Sequence, residues 1–225
     1  MFSTLYTGSA SDDGEAVDEL IVGRPVLVLV DVQRDWAVPP THGGIAEPDA
    51  VAPTIERIES IVAAARAAGI PVIFCQEVHR ASGIDYGREL DHGEPMRCID
   101  GVESTQLWPT LTPMANEYHV VKRRCSCFFG SELDLLLRAL SATTVLLVGG
   151  LTDICVHYTF VDAFQRDLHV RVVEDAVVGS STARHLAALD AMEHLHHGAR
   201  RTTRDVVDAL ASTQLSHPPT LEVRK

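Results

Sequence analysis

The sequence predicts an α/β protein: a single three-layer α-β-α domain, Rossmann-like, around a mainly parallel sheet of about six strands. The first observation is a repeated order, in which a short apolar run is followed by a segment with apolar residues at helical spacing. The second is the length of 225 residues, which suits one domain with a sizeable core. The third is a hydrophobic content of 46% with 22% charged residues, which is ordinary for a globular protein.

Six short runs are candidate strands, and the alternation with helices favours a sheet covered on both faces. They span residues 26–30, 70–75, 118–121, 145–148, 169–173 and a short one near 200–202. The predicted helices are residues 54–68, 131–140, 153–166, 181–197 and 204–211. Two long loops, 39–53 and 76–113, show little periodicity. Loops of that length are usually functional, so we expect them to shape a pocket.

Composition restricts the partners and the compartment. An acidic N-terminal arm, residues 1–23, is predicted to precede the folded domain, residues 24–225. The arm lacks the features of a secretory signal, and no apolar run reaches the roughly 18 residues of a membrane span. The formal net charge of −12 argues against nucleic acid or an anionic membrane as partner. The five cysteines form no paired framework, so we expect a reducing, cytoplasmic location.

Three residues with chemically active side chains follow or end predicted strands. Asp31 ends the first apolar run, Lys122 ends the third, and Cys155 lies just beyond the fourth, in the first turn of a predicted helix. Parallel strands deliver their carboxyl ends to one edge of a sheet, where ligands bind. Each residue also has an ordinary interpretation: a cap for Asp31, a surface charge for Lys122 and a small packing residue for Cys155. Their common placement favours one site with a nucleophilic thiol.

The same region resembles a known family. The segments LVDVQRDW (29–36), VKRRCSCFFG (121–130) and GLTDIC (150–155) are similar in order and spacing to those of the isochorismatase-like cysteine hydrolases. The segment AFQRDLHVRVVEDA (163–176) also has the form of that family. The resemblance covers roughly residues 24–200. It is specific for the superfamily and does not identify one substrate.

The resemblance implies a catalytic triad of Asp31, Lys122 and Cys155. Asp31 would take the thiol proton, Lys122 would stabilise the thiolate, and a thioester would form on Cys155. Backbone N–H groups of Ile154 and Cys155 would bind the oxyanion, and a cis peptide bond would join Gly150 to Leu151. No cofactor is implied.

The run after the second strand bears on metal and substrate. It contains His79, Asp85 and His92, but not in the arrangement of the metal site of the nicotinamidase branch, so we expect no metal. It instead resembles the carbamoyl- and ureido-hydrolysing members, such as N-carbamoylsarcosine and biuret amidohydrolases. Arg80 or Arg88 would then hold a substrate carboxylate or carbonyl. An equal alternative is that both arginines pair on the surface with Glu77, Glu89 or Asp91.

Aromatic side chains are weaker candidates for the same pocket. Trp36 would supply one apolar wall over the substrate, and Phe128 or Phe129 another, although such residues are more often core.

These expectations lead to one function and two alternatives. The first is a cysteine-dependent hydrolase that cleaves the C–N bond of a small amide or ureido compound and releases ammonia. The second is hydrolysis of a vinyl ether, the isochorismatase reaction, which does not require the cysteine. The third is a binding or scaffold protein without catalysis. The resemblance further implies a homodimer or homotetramer.

Overall fold

A sheet of six parallel strands is the centre of the fold. The computed structural model describes residues 19–37, 48–93 and 95–213. The strands are β1 (Pro25–Val30), β2 (Val72–Glu77), β3 (Tyr118–Lys122), β4 (Thr144–Gly150), β5 (His169–Val178) and β6 (Arg200–Arg201). Their order across the sheet is β3-β2-β1-β4-β5-β6, and every pair is parallel. The predicted fold class is confirmed.

Helices cover both faces of this sheet. They are α1 (Pro48–Ala67), α2 (Leu133–Ala139), α3 (His157–Phe164), α4 (Thr182–Leu195) and α5 (Thr203–Ser212). Because successive side chains of a strand point to opposite faces, β1 divides its residues between two cores. Leu27 and Leu29 pack with α1 and α5, whereas Val26, Val28 and Val30 pack with α2, α3 and α4. The three layers follow from this alternation.

Two predicted boundaries are wrong in ways that matter for the site. The second strand runs to Glu77 and not to Cys75, so its last residue reaches the edge where ligands bind. The predicted loop 39–53 is partly helical, because α1 begins at Pro48; residues 38–47 lie outside the described residues. Proline suits the first turn of a helix, where its missing N–H group costs no intrahelical bond.

The segment 78–117 is a loop region, as expected from its weak periodicity, but it is not featureless. It contains two short 3-10 helices, Arg88–His92 and Glu103–Thr105. Single bridges join Gln33 to Leu107 and His79 to Ile99. These bridges hold the loop across the carboxyl edge of the sheet, and so they place it over the site.

The N-terminal arm lies mostly outside the description, which begins at residue 19. Its last residues contact the domain: the Glu19 carbonyl accepts a hydrogen bond of 2.8 Å from Arg171, and Val22 N–H donates to Thr144 Oγ1 at 2.9 Å. Within the ranges described here, no helix has the length and apolar character needed to cross a bilayer.

Candidate active site

The site lies where the strand order reverses. β1 connects to β2 on one side of the sheet, and β4 lies beside β1 on the other, so the crevice opens between the carboxyl ends of β1 and β4. Such switch points are where open α/β sheets bind ligands. Asp31 follows β1, Lys122 ends β3, and Cys155 lies in the turn after β4. The structure therefore brings the three predicted residues together.

Asp31 is fixed by its backbone as well as its side chain. It has a φ of 50°, which turns the chain sharply at the end of β1. Its N–H donates to the Cys75 carbonyl at 2.9 Å, and its Oδ1 accepts the Glu77 N–H at 2.8 Å. Burial raises the pKa of Asp31 to about 6, and the nearby Lys122 charge only partly offsets this effect. Asp31 is thus ionised at neutral pH yet basic enough to accept a proton.

Lys122 has no exposed surface and is held by ionic contacts. Its Nζ lies 2.8 Å from Asp31 Oδ2 and 2.7 Å from Glu77 Oε2, and it donates to the Arg124 carbonyl at 3.0 Å. Burial alone would lower the pKa of Lys122, but the neighbouring anionic groups, first Asp31, raise it well above its ordinary value. The ammonium is therefore charged at every pH of interest.

Cys155 carries the candidate nucleophile. Its Sγ lies 3.5 Å from Lys122 Nζ. A hydrogen bond with Cys125 and burial raise the pKa of the Cys155 thiol well above its ordinary value, and Lys122 opposes the shift without cancelling it. The resting group is then a thiol, in agreement with the expectation that Asp31 takes its proton. Proton removal must accompany attack, which is the task of a general base such as Asp31.

Glu77 was not predicted as a site residue, because the sequence pattern ended the second strand too early; it is buried and not on the surface. It ends β2, and Lys122 Nζ donates to its Oε2 at 2.7 Å. Its Oε1 lies 3.2 Å from His79 Nε2, and Cys155 Sγ lies 4.0 Å from its Oε2. Burial opposes its ionisation, yet Lys122 and His79 hold the pKa of Glu77 well below its usual range. The site therefore contains a second permanent carboxylate.

Two glycines allow the close approach of β4 to the site. Gly149 has a φ of 117°, and a Cβ atom there would lie 2.1 Å from the Val30 carbonyl oxygen. A Cβ on Gly150 would lie 3.0 Å from the Trp36 ring. Only glycine fits at position 149, because both the positive φ and the lack of space exclude a side chain. The peptide bond between Gly150 and Leu151 is cis, as predicted.

The turn that carries Cys155 differs from the predicted helix start. Residues Thr152–Val156 form a π-helical turn, and the α-helix begins only at His157. In this turn the Ile154 N–H donates to the Leu151 carbonyl at 3.0 Å. The prediction that Ile154 supplies an oxyanion donor is therefore not supported, because its N–H is already bonded. The same role for the Cys155 N–H stays a prediction.

Comparison with known proteins agrees with this architecture. The family model described as "Isochorismatase domain" matches residues 25–205. The chain belongs to the isochorismatase family. The resemblance seen in its sequence segments is thus confirmed.

The chain is also similar to an enzyme of known name and to solved structures. The ureidoacrylate amidohydrolase RutB of Methylobacterium radiotolerans is 32% identical over 168 residues, which cover 67% of this chain and 65% of that protein. The crystal structure of an isochorismatase family protein from Desulfovibrio vulgaris has a TM-score of 0.74 at 28% identity, covering 83% and 98% of the two chains. N-carbamoylsarcosine amidase from Thermoplasma acidophilum, at 24% identity and a TM-score of 0.69 over 80% and 97%, shares the fold.

The isochorismatase-family site opens into a cavity at the carboxyl edge of the sheet, the place where open α/β folds bind ligands. Its lining includes Trp36, Gln33, Asp35, Arg97, Cys98 and Leu151 beside the residues already described. The Trp36 side chain is buried and forms part of this wall, in the position predicted for it.

The other three predicted substrate-binding residues are not at the cavity of this family member. Arg80 pairs with Asp85 at 2.9 Å, and Arg88 pairs with Asp91 at 2.8 Å with 95% of its side chain exposed. Phe129 is 64% exposed, and Phe128 packs in the core under Arg166. Both arginines therefore form ion pairs: Arg88 with an acid that was considered, and Arg80 with Asp85, which was not.

Arg97 and Asp35 take the place that those residues were expected to fill. Arg97 lines the cavity, and its Nη2 contacts Glu89 at 3.2 Å. Burial raises the pKa of Asp35 to about 7, with a contribution from the Asp31 charge. The short spacing from Asp31 could have indicated Asp35, but Arg97 lies in an aperiodic loop that gave no signal.

One group of potential metal ligands occurs within the described residues. Oxygen and sulfur atoms of Asp31, Glu77 and Cys155 lie within 4.8 Å of one another. Lys122 Nζ, however, lies within 3 Å of both carboxylates, so an ammonium already occupies the position that a cation would take between them. The donor set fits a metal poorly, and the absence of a cofactor stays a prediction.

Proposed function

We propose that this protein is a cysteine-dependent hydrolase that cleaves the C–N bond of a small amide or ureido compound and releases ammonia. The observation that carries the proposal is that one buried ammonium, that of Lys122, contacts both the candidate base Asp31 and the candidate nucleophile Cys155. Lys122 Nζ lies 2.8 Å from Asp31 and 3.5 Å from Cys155, and both of these residues line the cavity. A base, a cation and a thiol in this arrangement suit acyl transfer.

The reaction follows from the protonation states. The Cys155 sulfur attacks the substrate carbonyl carbon while its proton passes to the Asp31 carboxylate. The tetrahedral intermediate collapses as Asp31 returns the proton to the departing nitrogen. Ammonia is released, and a thioester remains on Cys155. Water then attacks the thioester, Asp31 takes a proton from it, and the sulfur leaves and regains that proton. The product is a carboxylic acid, or a carbamic acid if the substrate is a ureido compound.

Substrate recognition is proposed to rest on the cavity walls. Arg97 can donate two parallel hydrogen bonds to a carboxylate or carbonyl oxygen, and Asp35 can accept from an N–H group of an amide or ureido compound. Trp36 would cover the flat group between them. The name of the ureidoacrylate amidohydrolase relative agrees with a substrate that carries both a ureido group and a carboxylate.

The compartment and the assembly state belong to the same proposal. All five cysteines, including the candidate nucleophile, are free thiols, which suits the reducing cytoplasm. We further propose a homodimer or homotetramer, since apolar side chains of α3 and α4 such as Tyr158 and Leu186 are each 54% exposed. Light scattering of the purified protein would test it, and a monomer at working concentration would contradict it.

The test is ammonia release from a panel of carboxamides and ureido acids, with Cys155→Ala and Cys155→Ser as controls. We expect release by the wild-type protein only, and a mass increase on the peptide that contains Cys155 when turnover is quenched with acid. Release that persists in both variants would refute cysteine catalysis. Pyruvate formed from a vinyl ether, without ammonia from any amide, would favour the isochorismatase reaction. No reaction with either class would favour a binding role.

A further inference from the structure

We propose that Glu77 is a positioning residue of this active site. It holds the Lys122 ammonium between Asp31 and Cys155, and it supplies the second negative charge that determines when the thiol loses its proton. This inference rests on the proposed function for its catalytic consequence, but its effect on the thiol can be measured without a substrate.

The contacts of Glu77 reach every member of the predicted triad. Its Oε2 accepts from Lys122 Nζ at 2.7 Å and lies 4.0 Å from Cys155 Sγ. Its backbone N–H donates to Asp31 Oδ1 at 2.8 Å, which orients the base. His79 Nε2, on a ring with no exposed surface, lies 3.2 Å from Oε1 and so fixes the second oxygen. A carboxylate tethered at both oxygens cannot rotate away from Lys122.

An ion pair that served stability alone would not need this arrangement. Lys122 already has Asp31 as a partner at 2.8 Å, and a second buried carboxylate adds a desolvation penalty. Oxygens of the two carboxylates also lie within 4.8 Å of each other, so they repel. Their shared attraction to one Nζ fixes the ammonium between them. That position is also the one from which Nζ lies 3.5 Å from the Cys155 sulfur.

The charge balance acts together with burial and the Cys125 hydrogen bond, which raise the pKa of the Cys155 thiol. Lys122 carries one positive charge, and Asp31 and Glu77 carry two negative charges around it. A thiolate at Cys155 would be attracted by Nζ at 3.5 Å and repelled by Glu77 Oε2 at 4.0 Å, so the two effects nearly cancel. Lys122 therefore cannot produce a resting thiolate by itself. The proton leaves when Asp31 accepts it, at the moment of attack.

Other ionisable groups also face this cluster, and any change in titration must be interpreted with them present. They are Asp35 after β1, His79, Arg97 and Cys98 in the loop after β2, and Cys125 after β3. None of them lies between Glu77 and Lys122, whose atoms are in direct contact.

The experiment is the pH profile of Cys155 alkylation by iodoacetamide, followed by mass spectrometry of the peptide that contains Cys155. Glu77→Gln keeps the shape and removes the charge. We expect the alkylation midpoint to fall by about one pH unit, which gives about tenfold faster alkylation below the midpoint. Turnover should fall about 100-fold in kcat with little change in KM, because Lys122 then pairs with Asp31 alone and Asp31, without the neighbouring Glu77 charge, becomes a weaker base.

Two further variants separate positioning from general loosening of the structure. Glu117→Gln removes an acid that pairs with Arg66 at 2.8 Å near the start of β3, away from the site, and should change neither midpoint nor turnover. Glu77→Asp keeps the charge on a shorter side chain, so its midpoint should stay close to that of the wild-type protein while kcat falls about tenfold. This variant also provides a test if Glu77→Gln does not fold.

The outcomes are distinct. An unchanged midpoint in Glu77→Gln overturns the proposal, and so does a higher plateau at an unchanged midpoint, which would indicate only greater access to the thiol. Full turnover in Glu77→Asp overturns the positioning role. If the midpoint shifts but no amide is hydrolysed even by the wild-type protein, the proposed function fails, while the effect of the Glu77 charge on the Cys155 thiol stands.

Discussion

Replacing Lys122 by methionine should destabilise the fold in a pH-dependent way. Methionine keeps the length of the side chain and removes the ammonium. The lysine is fully buried and lies 2.8 Å and 2.7 Å from the carboxylates of Asp31 and Glu77. Without it, two buried carboxylates face each other with oxygens within 4.8 Å. Two unit charges at that separation repel by about 3.5 kcal/mol at an effective dielectric constant of about 20.

The size and sign of the effect follow from this charge arrangement. Removing one partner of a buried ion pair costs roughly 3–5 kcal/mol, so we expect the free energy of unfolding to fall by that amount at pH 8. In the variant, the folded-state pKa values of Asp31 and Glu77 lie above their unfolded values. A protein with such groups becomes less stable as the pH rises from the unfolded-state pKa to the folded-state pKa, because its folded state binds more protons in that range. The loss should therefore be clearly smaller at pH 5.

Urea unfolding of the wild-type protein and Lys122→Met at pH 5 and pH 8 measures both values. Arg88→Met is the control, since its side chain is 95% exposed and its ion pair should contribute less than about 0.5 kcal/mol. Equal losses at the two pH values would refute the reasoning, because they would show that the carboxylates do not control the penalty. No loss at pH 8 would refute the buried ion pairs themselves.

Three further predictions concern the base, the cavity and the turn. The kcat/KM should rise as the pH increases through about 6, because burial raises the pKa of Asp31 to about 6 and only its ionised form accepts a proton; a flat profile from pH 5 to 8 would contradict this. Arg97→Met should raise KM about 10- to 100-fold for substrates with a carboxylate but not for neutral amides. Steady-state kinetics with carboxylate-bearing and neutral substrates would measure this, and Arg88→Ala is the control that should leave KM unchanged. An equal rise in KM for both kinds of substrate would exclude a contact between Arg97 and the substrate carboxylate. Gly149→Ala should cost at least about 2 kcal/mol in the free energy of unfolding, since its Cβ would lie 2.1 Å from a backbone oxygen of β1. Gly69→Ala, where the φ of 69° is strained but nothing lies within 4 Å, should cost less, and similar losses in denaturation would argue against the clash.

The residues at the ends of strands could be predicted because the rule that places them is local. An apolar run followed by an acid, a base or a cysteine identifies Asp31, Lys122 and Cys155, and parallel pairing then brings the strand ends to one edge. Glu77 obeys the same rule. It was missed because Gln76 and Glu77 are polar, and a hydrophobic pattern assigns polar residues to the following loop although here both are buried in the strand.

The residues that line the cavity from the loop 78–117 could not be predicted in the same way. Arg80, Arg88 and Arg97 have the same side chain, and all three lie in a stretch without periodicity. Which of them reaches the cavity depends on bridges such as His79 to Ile99, which turn the loop across the sheet edge. A contact between residues far apart in the chain has no signature in the local pattern, so the sequence favoured the wrong two arginines.

The sequence by itself determined the sheet, its two apolar faces, the family and the three residues of the predicted triad. These features depend on periodicity and on short segments, and both are written in neighbouring residues. Only the tertiary structure decided how burial shifts the pKa of Cys155, that Glu77 is a second carboxylate beside Lys122, and that Arg97 is the cation that lines the cavity. Those properties depend on burial and on distances of 3 to 4 Å between side chains from different strands, which follow only after the whole chain has folded.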